Sequence, residues 1–342
     1  MLNIGSLKLH SRLILAPLAG ITDLPFRLLN REFGYELTFV EMINCRSLSH
    51  KSRKTKQMLH GDPKDRPLGV QLLGCEPKYI MTALDVLKKY QFDILDFNAA
   101  CPEKKVTKRG EGASLLKDPK KLNLLLKILV KNSEVPVTVK IRAGWDGDSL
   151  NAKEVALYAQ DAGIKALFIH GRTKEQGYSG TVNYQVISQV KKALDIPVIA
   201  SGDILSPELA KKMFDETNCD GLLVARGSLG NPWAYRQILG FLDTGELIAK
   251  PGHDEIVRVM KLHLRYLIDF YEEKMAVIIF RKFFAWYTKG FRHVRPLREK
   301  ACQAKTAEEM ERMIGMCIGV PLAAATKNPE QLFGDFVGDR PV

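Results

Sequence analysis

The sequence predicts an α/β fold, a (β/α)8 TIM barrel followed by a C-terminal all-α helical domain. Short, nearly continuous apolar runs recur along the first 225 residues, as in parallel strands that are buried on both faces. Segments of helical periodicity separate most of these runs, an alternation typical of a barrel. From about residue 240 the alternation stops and only helical periodicity continues.

Eight apolar or β-branched runs are the predicted barrel strands: 13–16, 37–41, 68–72, 94–98, 137–142, 166–170, 197–201 and 221–225. Residues 119–131 form the clearest helical segment, with Asp118 as N-cap and Pro119 at the first helical position. Ser206 and Pro207 repeat this device. A doubly wound open sheet is the alternative, but the count of eight and the lack of a G-x-G-x-x-G turn after the first strand disfavour it.

The domain boundary is predicted near Gly245 and the Lys250-Pro251-Gly252 turn. Residues 1–245 would form the catalytic barrel, 251–325 a helical domain and 326–342 a C-terminal tail. Within 254–290, apolar residues recur at three- and four-residue spacings, as on the buried face of a helix.

Composition limits where the protein works and what it binds. No run of eighteen apolar residues is present, and Pro17 interrupts the apolar run near the N-terminus, which lacks the flanks of a signal peptide. The six cysteines show no C-x-x-C spacing, and no His/Cys cluster has zinc spacing. We therefore expect a cytoplasmic protein, monomeric by default, with reduced thiols, no membrane partner and no metal.

The net charge of +12 favours a polyanionic partner, nucleic acid above all. Residues 281–305 hold eight basic groups and a single acid, Glu299, with five aromatic side chains interleaved. Basic groups neutralise phosphates and aromatic rings stack on unpaired bases, although the aromatics could instead form a helix core. Two further basic stretches, 46–56 and 104–109, follow the second and fourth predicted strands.

In a barrel, functional groups gather where the strands end. After the fourth strand the chain reads Asn98-Ala99-Ala100-Cys101-Pro102. Pro102 biases Cys101 towards an extended conformation, and a thiol with a pKa of about 8.5 still holds its proton at neutral pH. Cys101 is therefore a candidate proton donor, and the alternative is a small buried hydrophobe.

The fifth predicted strand places Thr138, Lys140 and Arg142 on one face, predicted to point inward. An inward lysine is costly unless an anion meets it, and a reduced flavin offers such a charge. Gln71 could bind the polar edge of a flavin, and Asn98 could do the same or orient a substrate.

The loops after the seventh and eighth strands are candidate phosphate sites, because Gly202 and the Ala225-Arg226-Gly227 turn permit close approach of an anion. Ordinary βα-turn glycines are the alternative there. His170 ends the sixth strand beside Gly171-Arg172-Thr173, which favours a role in the site over a structural one.

These residues resemble the FMN-dependent tRNA-dihydrouridine synthases over nearly the whole chain. The matching segments are 16–23, the segment around Gln71, 98–102, 139–142, 170–173, 202–204, 226–227 leading to 230–233, and, in the tail, Arg281-Lys282 followed by Trp286-Tyr287.

The resemblance implies a bound FMN, NADPH as reductant and a uridine of the tRNA D-loop as substrate. Hydride would pass from flavin N5 to C6 of uracil, and Cys101 would protonate C5. We expect substrate contacts from Asn98, Arg142, Arg281, Lys282, Arg292, Arg295 and Arg298. The FMN contacts implied are Pro17, Leu18, Ala19, Gln71, Lys140, His170, Ser201, Gly202, Asp203, Ala225 and Arg226.

The chain departs from the family pattern at five positions: Leu18 for methionine, Ala100 for glycine, Ser201 for asparagine, Ala225 for glycine and Phe283 for histidine. A Cβ at position 100 restricts the loop that carries Cys101. Two other functions remain open. A different FMN barrel would act on a free pyrimidine, and a non-catalytic RNA-binding barrel would bind no flavin.

Overall fold

The computed structural model describes residues 1–50 and 52–321 and confirms the predicted fold class. Across these residues, eight parallel strands form a nearly closed barrel. The backbone N–H of Leu15 donates to the carbonyl of Leu37 at 3.1 Å, which links the start of the second strand to the first. The eight barrel strands are Leu13–Leu15, Thr38–Phe39, Leu68–Leu73, Ile94–Asn98, Val137–Arg142, Ala166–His170, Val198–Ser201 and Gly221–Val224.

All eight predicted strands are therefore confirmed, with ends that differ by one or two residues. Three further strands were missed. Leu2–Ile4 and Leu7–Leu9 form an antiparallel hairpin, and Ile43–Asn44 pairs with the third barrel strand. The hairpin packs Leu2, Ile4 and Leu9 into the same hydrophobic cluster as barrel residues such as Ile14. Strands of two or three residues are too short to show a readable alternation.

Helices follow most of the barrel strands. The predicted helix at 119–131 is confirmed as Pro119–Asn132, and the Asp118 side chain accepts from the Lys121 N–H at 3.0 Å as its N-cap. The helix after the seventh strand begins at Pro207, as expected. The remaining helices that precede residue 226 are Leu24–Glu32, Cys45–Ser49, Arg53–Met58, Pro77–Leu87, Lys104–Thr107, Ala152–Asp161 and Tyr184–Ala193, with a 3₁₀ segment at Gly112–Lys117.

The described chain divides into two compact units. The first contains Met1–Leu24, Tyr35–Ile204 and Leu209–Ala225, and it holds the barrel. The second contains Pro25–Gly34, Leu205–Glu208 and the chain from Arg226 onward. Its helices beyond residue 226 are Ala234–Thr244, His253–Phe270, Glu273–Tyr287, Arg295–Gln303 and Ala307–Gly315, with 3₁₀ segments at Arg226–Ser228 and Met316–Gly319.

The predicted domain bounds, 1–245 and 251–325, stay a prediction. Residues 322–325 and the predicted tail 326–342 lie outside the described residues, as does Lys51 in the basic stretch 46–56. In the part of the chain that is described, no helix has both the length and the apolar character needed to cross a membrane.

Candidate active site

The register of the barrel strands aligns the predicted site residues in rows. Gln71 lies beside Asp96, and Asp96 lies beside Thr138. Nearer the carboxyl ends, Asn98 pairs with Lys140. In the last row, three side chains follow one another around the barrel: Arg142, His170 and Ser201. Polar groups thus replace the apolar core at the end of the barrel where loops lead away from the strands.

Lys140 is the cationic centre of this arrangement. It lies beside Asn98 on the neighbouring strand, and the charges of Asp96 and Arg142 act on it. Burial, with a smaller contribution from the neighbouring Arg142 charge, lowers the pKa of Lys140 to about 8. Its ammonium has no hydrogen-bond partner among the residues that the structure describes. Such a group is ready to receive an anion or a strong acceptor.

Cys101 lies on a turn whose backbone is held by Asn98, the last residue of the preceding strand. The backbone N–H groups of Ala100 and Cys101 both donate to Asn98 Oδ1, at 3.0 and 2.8 Å. Burial raises the pKa of the Cys101 thiol, so the sulfur keeps its proton at neutral pH. Ala100 is buried and is not among the residues with positive φ, so alanine fits this turn without backbone strain.

The loop beyond Cys101 packs closely against the cysteine backbone. Ala113 N–H donates to the Cys101 carbonyl at 3.0 Å. Gly112 has a φ of +60°, and a Cβ there would lie 2.8 Å from that carbonyl oxygen, so only glycine fits. Glu111, which is buried, accepts from the Asn44 amide and from the Arg109 guanidinium. This loop therefore limits the positions that the thiol can take.

Arg142 links the two loops that follow the strands on either side of its own strand. Its guanidinium donates to the carbonyls of Ala100 and Thr173, each at 2.8 Å. The same guanidinium lies 5.6 Å from the ring centre of Tyr178, whose edge contact with His170 completes the group. Tyr178 is 49% exposed and so presents a ring to solvent beside a cation.

A buried ion pair supports the candidate phosphate loop. The Arg172 guanidinium binds the Asp203 carboxylate through two hydrogen bonds of 3.0 and 2.5 Å, with side chains that are 4% and 12% exposed. Asp203 has a φ of +51°, in the left-handed region. Gly202 has a φ of +121°, and a Cβ there would approach Val182 to 2.8 Å. The loop is thus tightly packed, and only glycine fits at position 202.

The other predicted cofactor contacts lie at strand ends. Pro17, Leu18 and Ala19 directly follow the first strand, and Leu18 N–H donates to the Thr22 hydroxyl at 3.0 Å. Ala225 directly follows the strand Gly221–Val224 and is the last residue of the first unit, and Arg226 opens the 3₁₀ helix Arg226–Ser228. His170 Nδ1 accepts from the backbone N–H of Arg172 at 3.2 Å, so Nε2 carries the proton in the neutral ring.

In the second unit, the structure corrects the expectation that the aromatic side chains of residues 281–305 stack on bases. Phe283, Phe284, Tyr287 and Phe291 are buried. Phe283 and Tyr287 pack against the His263 ring, and Phe291 packs against the His253 ring. Only Trp286 among the five keeps partial exposure. The alternative that these side chains form a core was the right one for four of them.

The basic residues of the tail divide into two groups. Arg292 and Arg295 are exposed. By contrast, Arg281 donates to the Ala304 carbonyl at 2.6 Å, and Arg298 donates to the Thr288 hydroxyl at 2.9 Å. Lys282 lies over the Phe283 ring. Arg295 also pairs with Glu299 at 3.1 Å, but both side chains are exposed. The sequence did not distinguish the exposed cations from those that bind the protein's own interior groups.

Sequence reasoning missed Asp96, Arg172, Tyr178 and Glu111. A signal existed for Asp96, a carboxylate inside an otherwise apolar strand, and for Arg172, which lies two residues after His170. Nothing in the sequence marked Glu111 or Tyr178, because Asn44 lies 67 positions from Glu111 and Arg142 lies 36 positions from Tyr178. Over the described residues, no group of three His, Cys, Asp or Glu side chains could hold a metal ion.

Comparison with known proteins agrees with this site. Residues 14–320 match the family model described as dihydrouridine synthase. The chain is 39% identical to the probable tRNA-dihydrouridine synthase 1 of Synechocystis sp., over 93% of the chain and 89% of that protein. It is 38% identical to tRNA-dihydrouridine synthase B of Pasteurella multocida, over 92% of the chain and 94% of that protein. The chain belongs to the dihydrouridine synthase family, and it is an oxidoreductase of the class that acts on CH–CH bonds.

Two solved structures share the fold. Histamine dehydrogenase from Rhizobium sp. 4-9 matches with a TM-score of 0.53 and 12% identity, over 78% of this chain and 50% of that one. A 6-hydroxypseudooxynicotine amine oxidase from Pseudomonas geniculata N1 matches with a TM-score of 0.56 and 16% identity, over 70% and 49%. At these identities the likeness concerns the fold alone.

Proposed function

We propose that this protein is an FMN-dependent tRNA-dihydrouridine synthase that uses NADPH to reduce the C5–C6 double bond of a D-loop uridine. One observation carries the proposal. The turn that carries the thiol of Cys101 lies directly beside Lys140, whose ammonium has no hydrogen-bond partner among the described residues: Asn98 pairs with Lys140, and the Ala99 N–H donates to the Lys140 carbonyl at 2.8 Å. The names of the relatives support the substrate class.

The residues at the barrel mouth fit a flavin. Among the described residues Lys140 has no hydrogen-bond acceptor, and the electron-rich edge of a reduced flavin would supply one. Gly202 has a positive φ and no room for a Cβ against Val182, and such a tight glycine loop after the seventh barrel strand suits a phosphate group. The residues that would hold FMN are Pro17, Leu18, Ala19, Gln71, Lys140, His170, Ser201, Gly202, Asp203, Ala225 and Arg226.

When bound, FMN would accept hydride from NADPH and supply hydride from N5 to C6 of the uracil. The protein's own contribution is the proton. Cys101 keeps its proton because burial raises its pKa, and it would deliver that proton to C5. General acid assistance of this kind accelerates a reaction by roughly a hundred- to ten-thousand-fold. Asn98 fixes the turn on which the sulfur lies.

We propose substrate contacts from residues of both units. Arg142 and Asn98 lie at the mouth, and the exposed Arg292 and Arg295 can bind phosphates of the tRNA, with Arg281, Lys282 and Arg298 also proposed as contacts. The target uridine must leave its stack to reach the partly buried thiol of Cys101. We propose that the protein acts in the cytoplasm and is a monomer.

The direct test is to incubate the purified protein with FMN, NADPH and an unmodified tRNA transcript, and to measure dihydrouridine in the digested RNA. We expect dihydrouridine at D-loop positions only. Absence of product, with a flavin bound and reducible, would contradict the proposal. Turnover of free uracil or orotate instead would favour the alternative of an enzyme for free pyrimidines.

A further inference from the structure

A buried carboxylate, Asp96, lies next to the catalytic turn and has no role in the chemistry described above. It stands two residues before Asn98 on the same strand and is 2% exposed. One carboxylate oxygen accepts from the Thr138 hydroxyl at 2.7 Å, and the other accepts from Gln71 Nε2 at 2.7 Å. Burial raises the pKa of Asp96 to about 6, so the group is ionised at neutral pH and can only accept hydrogen bonds.

The Asp96 carboxylate determines the orientation of two side-chain amides, first that of Gln71 and then that of Asn98. Because Gln71 turns its NH2 group towards Asp96, its carbonyl oxygen faces Asn98 and accepts from Asn98 Nδ2 at 2.8 Å. The NH2 group of Asn98 is thereby engaged, and its carbonyl oxygen faces the turn. There it accepts the backbone N–H groups of Ala100 and Cys101.

We propose that Asp96 is a positioning residue for Cys101, acting through the hydrogen-bonded chain Asp96–Gln71–Asn98. A primary amide fits a pocket in two orientations of the same shape, so shape alone does not select one. With Asn98 reversed, an NH2 group would face two N–H donors and both bonds to the turn would be lost. The inference rests on the proposed function, because it matters for catalysis only if Cys101 delivers the proton.

The first test is Asn98→Asp. The new carboxylate can still accept from the turn, but it also needs a donor from Gln71, whose NH2 group already binds Asp96. The Gln71 amide would then lie between the carboxylates of residues 96 and 98, and the carboxylate of residue 98 would face the Gln71 carbonyl oxygen. We expect kcat for dihydrouridine formation to fall about tenfold or more, by a larger factor than any change in the KM for tRNA or in the flavin content. The melting temperature of the flavin-free protein should fall as well.

The decisive variant is the exchange Asp96→Asn/Asn98→Asp, which keeps the total charge. Gln71 can now reverse, accept from the new amide at position 96 and donate to the new carboxylate at position 98. The Thr138 hydroxyl still finds an oxygen, and every donor has an acceptor. We expect kcat to recover about tenfold over Asn98→Asp, and the melting temperature of the flavin-free protein to rise with it. A role confined to filling space predicts no such recovery.

Thr138→Val is the matched control, because it removes a hydrogen bond to Asp96 from the side that does not lead to Cys101. We expect its kcat to stay within about twofold of the wild type. An exchange variant as slow and as unstable as Asn98→Asp would overturn the inference, as would Asn98→Asp with wild-type kcat. A wild-type protein that forms no dihydrouridine would instead overturn the proposed function, and the melting temperatures would then test the chain by themselves.

Discussion

Replacing Lys140 with methionine should stabilise the flavin-free protein while it weakens flavin binding. Burial lowers the pKa of Lys140 from 10.5 to about 8. Since one pKa unit corresponds to 1.36 kcal/mol, keeping this lysine protonated costs the folded state up to about 3 kcal/mol at pH 7. The side chain keeps partial exposure, so water reduces this cost. We expect Lys140→Met to raise the free energy of unfolding by about 1 to 3 kcal/mol.

The effect should depend on pH in a defined direction. The folded-state pKa lies below the unfolded one, so the cost is complete below pH 8 and shrinks as pH rises towards 10.5. Urea unfolding of the flavin-free wild type and of Lys140→Met at pH 7 and pH 9.5 measures both values. The gain at pH 9.5 should be about half of that at pH 7 or less.

Lys211→Met serves as the control, because Lys211 is half exposed on a helix and pairs with Asp215. Its effect should stay within about 0.5 kcal/mol at both pH values. FMN retention through gel filtration provides the second measurement, with Lys140→Met losing the flavin that the wild type keeps. A variant less stable than the wild type at pH 7, or a gain equal at both pH values, would refute the reasoning.

Two further predictions concern the phosphate loop and the tail. Asp203→Asn should lower the free energy of unfolding by about 3 kcal/mol in urea titrations, because it leaves the buried Arg172 charge unpaired, while asparagine tolerates the left-handed φ. Asp215→Asn, in an exposed pair, should cost less than about 1 kcal/mol, and equal costs would contradict the argument. Arg292→Glu/Arg295→Glu should weaken tRNA binding in filter assays and make its salt dependence less steep. Lys8→Glu/Lys165→Glu, beside the N-terminal ends of the barrel strands, should leave binding near wild type, and equal loss in both double variants would remove the tail from the interface.

The sequence predicted those features that depend on local pattern. The eight strands could be predicted because each is a short apolar run. The placement of Lys140 on its strand and of Cys101 on the turn after its strand could be predicted from strand alternation and from the proline that follows the cysteine. The Arg172–Asp203 pair was not readable, because its partners lie 31 positions apart and meet only through the register of two strands. The orientation of the Gln71 and Asn98 amides likewise depends on contacts between neighbouring strands.

In the tail, the sequence pattern alone does not predict which side chains are buried. Phe283 and Phe284 have the spacing of either a core or a stacking surface, and only the packing around His263 decides between them. Arg298 and Arg295 are both basic, but Arg298 is held by the Thr288 hydroxyl whereas Arg295 is exposed. Composition predicts that the segment is basic, and packing determines which cations a partner can reach.

In the proposed reaction the Cys101 sulfur delivers the proton to uracil, whereas the hydride depends on FMN and NADPH. The most direct measurement follows Cys101→Ala in parallel assays of flavin content, NADPH oxidation and dihydrouridine in tRNA. We expect flavin content and NADPH oxidation to remain, and dihydrouridine formation to fall by roughly a hundred- to ten-thousand-fold. Dihydrouridine formation at the wild-type rate in this variant would contradict the account.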